Sequence, residues 1–381
     1  MKLDCGTIPS AHSCAADARQ AAREFHARLG GAADGLVVFF CSSAYDLPAL
    51  ADEINRLFPD VPVVGCTTAG EIGPAGYQDR SLSGVRLPAS LCTAVAGRLG
   101  PLQSFQTEQG KTFAQGLLKQ LEAQAPGAAP EKCFALLLID GLSVREEPVA
   151  HALQMALGQI PLVGGSAGDG LAFSRTWVFH DGAFHADSAV MILAHTDLPF
   201  RTFKTQHFTS TDERVVVTDA DAAQRIVREI DGLPAAEEYA RLTGTAVAEL
   251  LPARFAASPV VVLIDGTDYV RSIQKVNADG SMTFYCAIDE GMVLRVANSG
   301  DLLQNLQDSL QGVRQEIGEP LAVFAFDCIL RNLECAQKGL KAQVGDLLRA
   351  NHAVGFSTYG EQFGGVHVNQ TLTGIAIGRG V

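Results

Sequence analysis

A short motif occurs three times in this chain, each time at the end of the same longer pattern. The copies read V-G-C-T-T-A-G-E over Val64–Glu71, V-G-G-S-A-G-D over Val163–Asp169 and V-G-F-S-T-Y-G-E over Val354–Glu361. Each follows an apolar run of buried-strand length, a segment with helical spacing and a second short apolar run. The leading apolar runs are Leu36–Cys41, Phe134–Ile139 and Val323–Cys328. One strand–helix–strand unit has been copied along the chain, so we expect Gly65, Gly164 and Gly355 to occupy corresponding places.

Helical segments alternate with strand-like runs along the rest of the chain. Helices are predicted at Ala16–Leu29, Thr112–Ala125, Ala220–Glu229, Ala235–Leu242 and Leu302–Ile317. Turn residues separate many short strands in between. This alternation predicts an α/β fold with mixed or largely antiparallel sheets, and the break at Leu233-Pro234 predicts a boundary between two domains.

The repeated motif admits an enzymatic reading and a structural one. Gly164–Gly168 matches the G-x-S-x-G pattern that places a nucleophilic serine, here Ser166, on a strand-to-helix turn. Residues 175–180, R-T-W-V-F-H, are typical of a strand where that turn needs a helix. The other copies have Thr67 and Ser357 at the same place without the G-x-S-x-G frame. We therefore expect no enzyme, and tight glycine turns that let backbone approach closely and line a ligand pocket.

Composition excludes several classes of function. The net charge of -13 argues against a nucleic-acid partner, which needs a basic surface to neutralise phosphates. No apolar run approaches the roughly 18 residues of a membrane span, and the first residues lack the apolar core of a signal peptide. We therefore expect a cytoplasmic protein that does not enter a membrane.

The nine cysteines follow no metal-binding or haem-attachment pattern. They include no C-x-x-C, which excludes the C-x-x-C-H motif of covalent c-type haem, and no histidine is placed to complete a zinc set. Cys41, Cys66, Cys92, Cys133 and Cys286 lie among apolar neighbours. This pattern predicts buried, reduced thiols.

Asp181-Gly182 lies between two β-rich runs, a strong signal for a two-residue hairpin turn. In that hairpin His180 pairs with Ala183, and Val178 pairs with His185. The two-residue period then places His180 and His185 on one face. The alternative is that both histidines are merely exposed polar residues near the hairpin tip.

Several dispersed motifs resemble those of the FIST family, sensory proteins with an N-terminal and a C-terminal FIST domain. The resemblance rests on all three glycine motifs, on F-H-D-G at 179–182, on G-F-S-T-Y-G-E-Q at 355–362 and on H-V-N-Q-T-L-T-G at 367–374. It spans nearly the whole chain. It implies a layered sandwich with sheets inside and helices outside, formed by a FIST N domain over 35–233 and a FIST C domain over 234–381, after an N-terminal helical extension over 1–34.

The chain is most similar to the stand-alone FIST proteins that bind haem and sense nitric oxide. This resemblance implies non-covalent haem b, nitric oxide as the diatomic ligand and a separate signalling partner such as a histidine kinase, since no kinase, receiver or cyclase segment is apparent. It leaves open assembly into a homo-oligomer.

Haem needs an axial donor, an apolar slot and a polar or basic rim. The hairpin histidines would hold the iron in a fixed direction beside a glycine turn, so we rank His180 first, His185 second and His367, in the H-V-N-Q-T motif, third. Rim candidates are Arg175, Arg201 and Arg271.

The alternative function is a FIST sensor for a small organic ligand, such as an amino acid, without haem. In that case backbone N–H groups at Gly65, Gly164 and Gly355 would hold a carboxylate, and the hydroxyls of Thr67, Ser166 and Ser357 would add hydrogen bonds. Absorption spectra of the purified protein separate the two functions.

Overall fold

The chain folds into three copies of one unit, and the third copy carries an insertion. The structure is a computed structural model and describes residues 8–30, 34–264 and 266–380. Each unit has the order β-α-β-α-β-β-β-β, with a second helix following the fourth element in unit 3. The elements of unit 1 are β1 (Ser10–Ser13), α1 (Ala18–Arg28), β2 (Leu36–Ser42), α2 (Leu47–Leu57), β3 (Val63–Thr68), β4 (Glu71–Gly73), β5 (Gly76–Gln78) and β6 (Leu82–Leu87).

Unit 2 repeats this order about one hundred residues later. Its elements are β7 (Thr93–Leu99), α3 (Thr107–Gln124), β8 (Cys133–Ile139), α4 (Glu146–Leu157), β9 (Leu162–Ser166), β10 (Val178–His180), β11 (Ala183–His185) and β12 (Ala189–His195).

Unit 3 begins with β13 (Phe200–Thr205) and is then interrupted by residues 208–299, which we call the insert. The insert has its own apolar core and contains β14 (Phe208–Asp221), β15 (Ile226–Ile230), β16 (Leu233–Pro234), α5 (Ala235–Leu242), α6 (Pro252–Ala257), β17 (Val260–Ile264), β18 (Thr267–Arg271), β19 (Ile273–Val276), β20 (Met282–Phe284) and β21 (Val293–Ser299). Unit 3 resumes with α7 (Leu302–Ile317), β22 (Pro320–Cys328), α8 (Ile329–Gln337), α9 (Lys341–Ala350), β23 (Ala353–Thr358), β24 (Glu361–Phe363), β25 (Val366–Val368) and β26 (Leu372–Gly378).

Each unit contributes a hairpin to the sheet of another unit. Sheet 1 has the order β1-β6-β2-β3-β10-β11, so its last two strands come from unit 2. Sheet 2 has the order β7-β12-β8-β9-β24-β25, ending with a hairpin from unit 3, and sheet 3 has the order β13-β26-β22-β23-β4-β5, ending with a hairpin from unit 1. The three exchanges form a closed cycle.

The sheets lie inside and the helices outside, as predicted. Apolar side chains from all three sheets meet in one central core, which includes Phe40, Leu136 and Phe324. The opposite face of each sheet packs against its own helices: α1 and α2 on sheet 1, α3 and α4 on sheet 2, and α7 and α9 on sheet 3. The prediction of a mixed α/β layered sandwich with internal repeats is confirmed.

The three motif glycines occupy equivalent places, as the repeat predicts. Gly65, Gly164 and Gly355 pair with Phe39, Leu137 and Ala325 of the preceding parallel strands. All three lie inside strands, however, and the turns come later, after Thr68, Ser166 and Thr358. The prediction that these glycines form turns was therefore wrong about position, because the strand continues through them.

Close strand packing explains these glycines. A Cβ atom on Gly65, Gly164 or Gly355 would lie 2.5, 2.1 or 1.7 Å from the facing carbonyl oxygen. Those distances are far below van der Waals contact, so glycine is needed to let the parallel strands approach.

Four of the five helices predicted outside the repeats are present, and strands take the place of the fifth. The structure has helices at Ala18–Arg28, Thr107–Gln124, Ala235–Leu242 and Leu302–Ile317, close to the predicted bounds. Ala220–Glu229 was predicted helical but forms the end of β14, a turn with Arg225 at φ 56° and the start of β15. Burial of Val227 and Ile230 in the insert's sheet overrides the helical composition of this segment. Leu233 and Pro234, where we expected the boundary, lie within the insert.

Seven of the cysteines in the described part of the chain are buried and Cys14 is exposed. All eight are free thiols there, and Cys5 lies outside the described residues.

No helix in the described ranges is long and apolar enough to span a bilayer. The same ranges contain no cluster of three or more histidine, cysteine or acidic residues arranged to hold a metal ion.

Candidate functional site

The β10–β11 hairpin has the predicted register and places His180 beside a groove. Asp181 and Gly182 form its turn with φ values of 49° and 75°, and Val178 pairs with His185 while His180 pairs with Ala183. The His180 side chain is 14% exposed, and its Nδ1 lies 3.1 Å from an Asp181 carboxylate oxygen. This contact is within ion-pair distance but lacks hydrogen-bond geometry, so His180 Nδ1 is a buried nitrogen without a hydrogen-bond partner.

The groove next to His180 has a volume of about 420 Å³, within the usual range for ligand pockets. It runs between the end of α2, the start of β7 and the last turns of α3. Its lining includes the apolar residues Phe58, Val61, Val63 and Val95, but polar atoms make up more than half of its exposed surface, and Gln120 and Gln124 are among the polar residues. Arg175, Arg201 and Arg271 do not line it, so the predicted basic rim is absent from this groove.

His185 is engaged by its own hairpin. Its Nε2 lies 3.1 Å from the carbonyl oxygen of His180, and the residue does not line the groove. The hairpin runs antiparallel to β3, with Phe179 opposite Gly65. Its tip therefore lies at the start of β3, whereas the motif turn follows the end of that strand. The expectation that His180 lies beside that turn is corrected by this antiparallel pairing.

The three motif turns bind one another in a ring. The Ser357 N–H donates to the Gly70 carbonyl at 2.7 Å, and the Ser166 N–H donates to the Gly360 carbonyl at 2.9 Å. The Gly168 N–H donates to the Thr67 carbonyl at 3.0 Å. These backbone groups therefore join the three units, and those donors are occupied by the protein itself.

The motif hydroxyls are fully buried, and those of Ser166 and Thr67 connect neighbouring units, whereas that of Ser357 bonds within unit 3. Ser166 Oγ accepts from Gln362 Nε2 at 2.9 Å, Thr67 Oγ1 accepts from the Trp177 N–H at 3.0 Å, and Ser357 Oγ accepts from Asn332 Nδ2 at 2.6 Å. The chain after Ser166 leads through a loop to strand β10, as the sequence predicted, and not to a helix. That the hydroxyls of Thr67, Ser166 and Ser357 contact a ligand stays a prediction.

Comparison of the three exchanged hairpins identifies a polar site. Equivalent positions hold Ile72 and Tyr77 in the first hairpin and Phe179 and Phe184 in the second. The third hairpin instead pairs Gln362 with His367. Gln362 Nε2 also lies 3.2 Å from His367 Nδ1, so the amide connects the histidine to Ser166.

His367 is 1% exposed, and its Nε2 has no hydrogen-bond partner of good geometry. Burial lowers its pKa to about 4, an effect opposed by the Glu147 carboxylate and the nearby Tyr285 backbone and increased by Arg225 and Arg271. The ring is therefore neutral at physiological pH, with Nδ1 facing the Gln362 amide.

A cavity of about 260 Å³ lies next to His367, where the insert meets α4 and the third hairpin. We call it the His367 chamber. It is lined by Glu147, His151, Arg271, Ala287, Gly365, Val366 and His367. Arg271 Nη1 donates to the His367 carbonyl at 3.3 Å, and its Nε has no partner. Asn369 is fully buried, and both of its amide atoms are unpartnered.

A charged cluster fastens the insert beside this chamber. Arg225 Nη2 contacts Glu146 at 2.6 Å and also Glu147, and Arg225 Nη1 donates to the Tyr285 carbonyl at 2.8 Å. The Ala287 N–H donates to Glu147 at 2.9 Å. Burial raises the pKa of Glu146 above its ordinary value. No local sequence pattern predicts this cluster, because its members come from unit 2 and from two separate segments of the insert.

Similarity to known proteins shows the family to which the chain belongs. A family model described as FIST N domain matches residues 35–233, and one described as FIST C domain matches residues 235–364. No curated protein matches the chain. Among solved structures, the chain is similar to cyanuric acid hydrolase from A. caulinodans, with 9% identity, a TM-score of 0.38 and coverage of 98% of this chain and 99% of that chain. A likeness this weak carries no argument about function.

Proposed function

The chain belongs to the FIST family, and we propose that it is a cytoplasmic sensory protein that binds haem b non-covalently, senses nitric oxide and regulates a separate signalling protein such as a histidine kinase. FIST domains are associated with sensory signalling. The proposal extends that general role to one ligand and one kind of output.

The observation that supports haem is the position of His180. It is the candidate histidine that lines a groove of about 420 Å³, and a carboxylate oxygen of Asp181 lies 3.1 Å from its Nδ1. Phe58, Val61, Val63 and Val95 supply apolar surface for a flat macrocycle, and the missing basic rim means that the propionates would face solvent. The His180 imidazole fits an axial donor. Bound iron would supply the coordination site for nitric oxide.

The hairpin also offers a route for a signal. Phe179 and His180 belong to unit 2, but their strand pairs with β3 of unit 1. Displacement of His180 would therefore act on the contact between two units. A partner that binds across this contact would detect the change, and no catalytic group of this chain is needed.

A hemin titration tests the haem proposal. Purified protein is mixed with hemin, and the Soret band and its response to nitric oxide are recorded. We expect His180→Ala to weaken hemin binding at least tenfold, and Asp181→Asn, which keeps the turn, to weaken it less. His185→Ala is the matched control, since it changes the same hairpin face outside the groove. Circular dichroism confirms folding.

Two results would reject His180 as the ligand. Unchanged spectra and affinity in His180→Ala would do so, and so would loss of binding in His367→Ala alone, which would move the ligand to the His367 chamber. The same titration on His195→Ala tests another cavity, of about 750 Å³, which is lined by His195 and Lys132.

A second candidate is a FIST sensor for a small organic ligand without haem. The unpartnered polar atoms of His367, Asn369 and Gln362 favour it, because buried polar groups normally have partners. A colourless protein that gains no Soret band with hemin would support this function over the first.

A further inference from the structure

We propose that the free edge of strand β7 is a docking site for an extended segment of a partner protein, which adds to sheet 2 as a further strand. Such pairing uses the backbone of the edge strand and needs no catalytic group. The inference rests on the proposed function only for the existence of a separate signalling partner, and it names how that partner attaches. It does not depend on which ligand the protein senses.

Strand β7 is the last strand of sheet 2. It pairs with β12 over all seven of its residues, Thr93–Leu99, and no strand in the described part of the chain pairs with its other edge. Among the described residues, no side chain bonds to the backbone of residues 93–99. The backbone groups on the outer side of β7 are therefore open to pairing with another chain.

The alternation of the ladder shows which backbone groups point outward. In an antiparallel pair, residues that bond to the neighbouring strand alternate with residues whose N–H and C=O groups point away. The Asp140 N–H donates to the Ser188 carbonyl at 2.9 Å, so the even-numbered residues from Ser188 onward bond to β8. The odd-numbered residues of β12 therefore bond to β7, through Thr93, Val95, Gly97 and Leu99. The backbone groups that point outward belong to Ala94, Ala96 and Arg98.

The outward edge of β7 lies inside a groove. Residues 92 and 93 line the cavity of about 750 Å³, and residues 94–96 line the groove of about 420 Å³ beside it. Gln124 lines both, so the two cavities meet at the end of α3. At about 3.4 Å per residue, residues 92–96 offer an edge about 17 Å long, which suits a segment of about five residues.

The internal repeat shows that this edge is unusual. Strands β1, β7 and β13 are the equivalent first strands of the three units, and each lies at the end of its sheet. The edge of β1 is closed, because Arg28 Nη1 donates to the His12 carbonyl. Strand β13 carries Arg201 and Lys204, and charged side chains deter pairing at an edge. In β7 the stretch before Arg98 is uncharged, so β7 is the least protected of these three edges.

The lining of the groove defines the side chains that fit. Ala94 and Ala96 are small, and Phe58, Val61 and Val63 add apolar surface. Small or β-branched apolar side chains on alternate residues of the segment match this surface. The polar part of the groove surface suits the backbone of the segment, whose N–H and C=O groups need partners.

Charge does not select the segment. Lys132 Nζ, in the larger cavity, lies 2.6 Å from a carboxylate oxygen of Asp197, which neutralises it. The other carboxylate in the lining belongs to Asp181, beside His180. We therefore expect an uncharged segment, whose affinity changes little with salt.

A second copy of this chain fits the edge less well than a single extended segment. Its own β7 is recessed between α3 and residues 58–63, so two such edges cannot approach each other. The groove lies between β7 of unit 2 and the start of β3 in unit 1. A segment bound there would contact both units.

Peptide binding to haem-free protein tests the proposal. The probe is a fluorescein-labelled peptide with the core T-V-T-V-T-V and hydrophilic flanks, and fluorescence anisotropy gives its Kd. Two further peptides carry N-methyl groups on all valines or on all threonines, so each lacks the N–H groups of one strand edge only. We expect the probe to bind, one methylated peptide to bind at least tenfold more weakly and the other to bind as the probe does. No binding at millimolar concentration, or equal effects of the two methylations, would overturn the proposal.

A proline at an outward position locates the binding. Ala96→Pro removes an N–H that β12 does not use, so sheet 2 should stay paired while the added strand loses a donor. We expect the Kd of the probe to rise at least tenfold. Thr202→Pro in β13 is the matched control: the Gly378 N–H donates to the Pro199 carbonyl, so by the same alternation Thr202 points outward. Circular dichroism confirms that both variants fold, and equal affinity in the two would reject the site.

Hydrogen exchange resolved to single amides gives a readout that needs no substitution. In the free protein the amides of Ala94 and Ala96 should exchange faster than those of Val95 and Gly97. The probe should slow Ala94 and Ala96 at least tenfold, and protection elsewhere without protection there would contradict edge pairing.

Sedimentation identifies the occupant. A dimer of the protein alone that Ala96→Pro dissociates would show that a second copy, and not a partner, covers the edge, which would overturn the proposal. A monomer, or a dimer that Ala96→Pro leaves intact, agrees with it. All of these measurements contain no hemin, so their outcome is independent of the Soret titration.

Discussion

Glu71 and Glu361 occupy equivalent places in units 1 and 3, and their buried carboxylates have matching partners. Each accepts from the threonine three residues earlier, Thr68 or Thr358. Each also accepts from a hydroxyl ten residues later, Ser81 Oγ at 2.7 Å or Thr371 Oγ1 at 2.6 Å. Burial raises the pKa of Glu71 to about 7 and that of Glu361 to about 8.

The raised pKa values of Glu71 and Glu361 make the free energy of unfolding depend on pH. Because the pKa of Glu361 in the folded protein lies above its ordinary value of 4.5, the folded state binds the proton more tightly than the unfolded chain. The free energy of unfolding should therefore fall as pH rises from about 4.5 to about 8. Glu361→Gln should remove up to about 1.4 kcal/mol per pH unit of that slope.

Urea unfolding at pH 5, 6, 7 and 8 measures the slope. Glu229→Gln is the control, because Glu229 is exposed and should leave the slope unchanged. Parallel curves for wild type and Glu361→Gln would show that the buried carboxyl does not titrate differently in the two states.

Gly355 should tolerate no side chain. The Cβ of Gly355→Ala would lie 1.7 Å from the Ala325 carbonyl oxygen, and a backbone atom in a central strand cannot move away. We expect a loss of more than about 3 kcal/mol in the free energy of unfolding. Gly312→Ala, in α7 with open space around it, should instead gain about 0.5–1 kcal/mol. Equal stability of the two variants in urea would contradict the close strand approach.

Cys14 should be the fast-reacting thiol. The sequence predicted buried, reduced thiols, but Cys14 is exposed whereas seven others are buried. Burial also raises the pKa of the Cys41, Cys66 and Cys328 thiols, which reduces the reactive thiolate. In Cys5→Ser protein, one thiol should react rapidly with a bulky disulfide reagent and eight should react after denaturation. Cys14→Ser should abolish the rapid phase, and a rapid phase that remained would indicate opening of the core.

The sequence revealed the repeat because its signals are local. Apolar runs and the Asp181-Gly182 turn act within a few residues, so the strands, most helices and the hairpin register could be predicted. The exchange of hairpins could not, because partners such as Gly164 and Gln362 are almost two hundred residues apart. Any of the three hairpins would satisfy the local pattern at each sheet edge.

The residues of the candidate site likewise divide into those that local sequence signals predict and those that are brought together by distant parts of the chain. His367 and His180 were found from a motif and a turn signal, whereas Arg225 and Glu146 meet only after the insert folds onto α4. Arg225 was also placed in a predicted helix, although it lies at a turn between strands. Long-range packing determines that Arg225 lies at a turn, and no periodic pattern in the sequence predicts this.

Because the hairpins are exchanged, one sheet is completed only late during synthesis on the ribosome. Strands β8 and β9 are synthesised before the middle of the chain, but the edge that β9 presents is covered only by residues 361–368. Until those residues emerge, the nascent chain carries an open strand edge, which is prone to mispairing. Residues 361–368 therefore complete a sheet that was begun more than two hundred residues earlier.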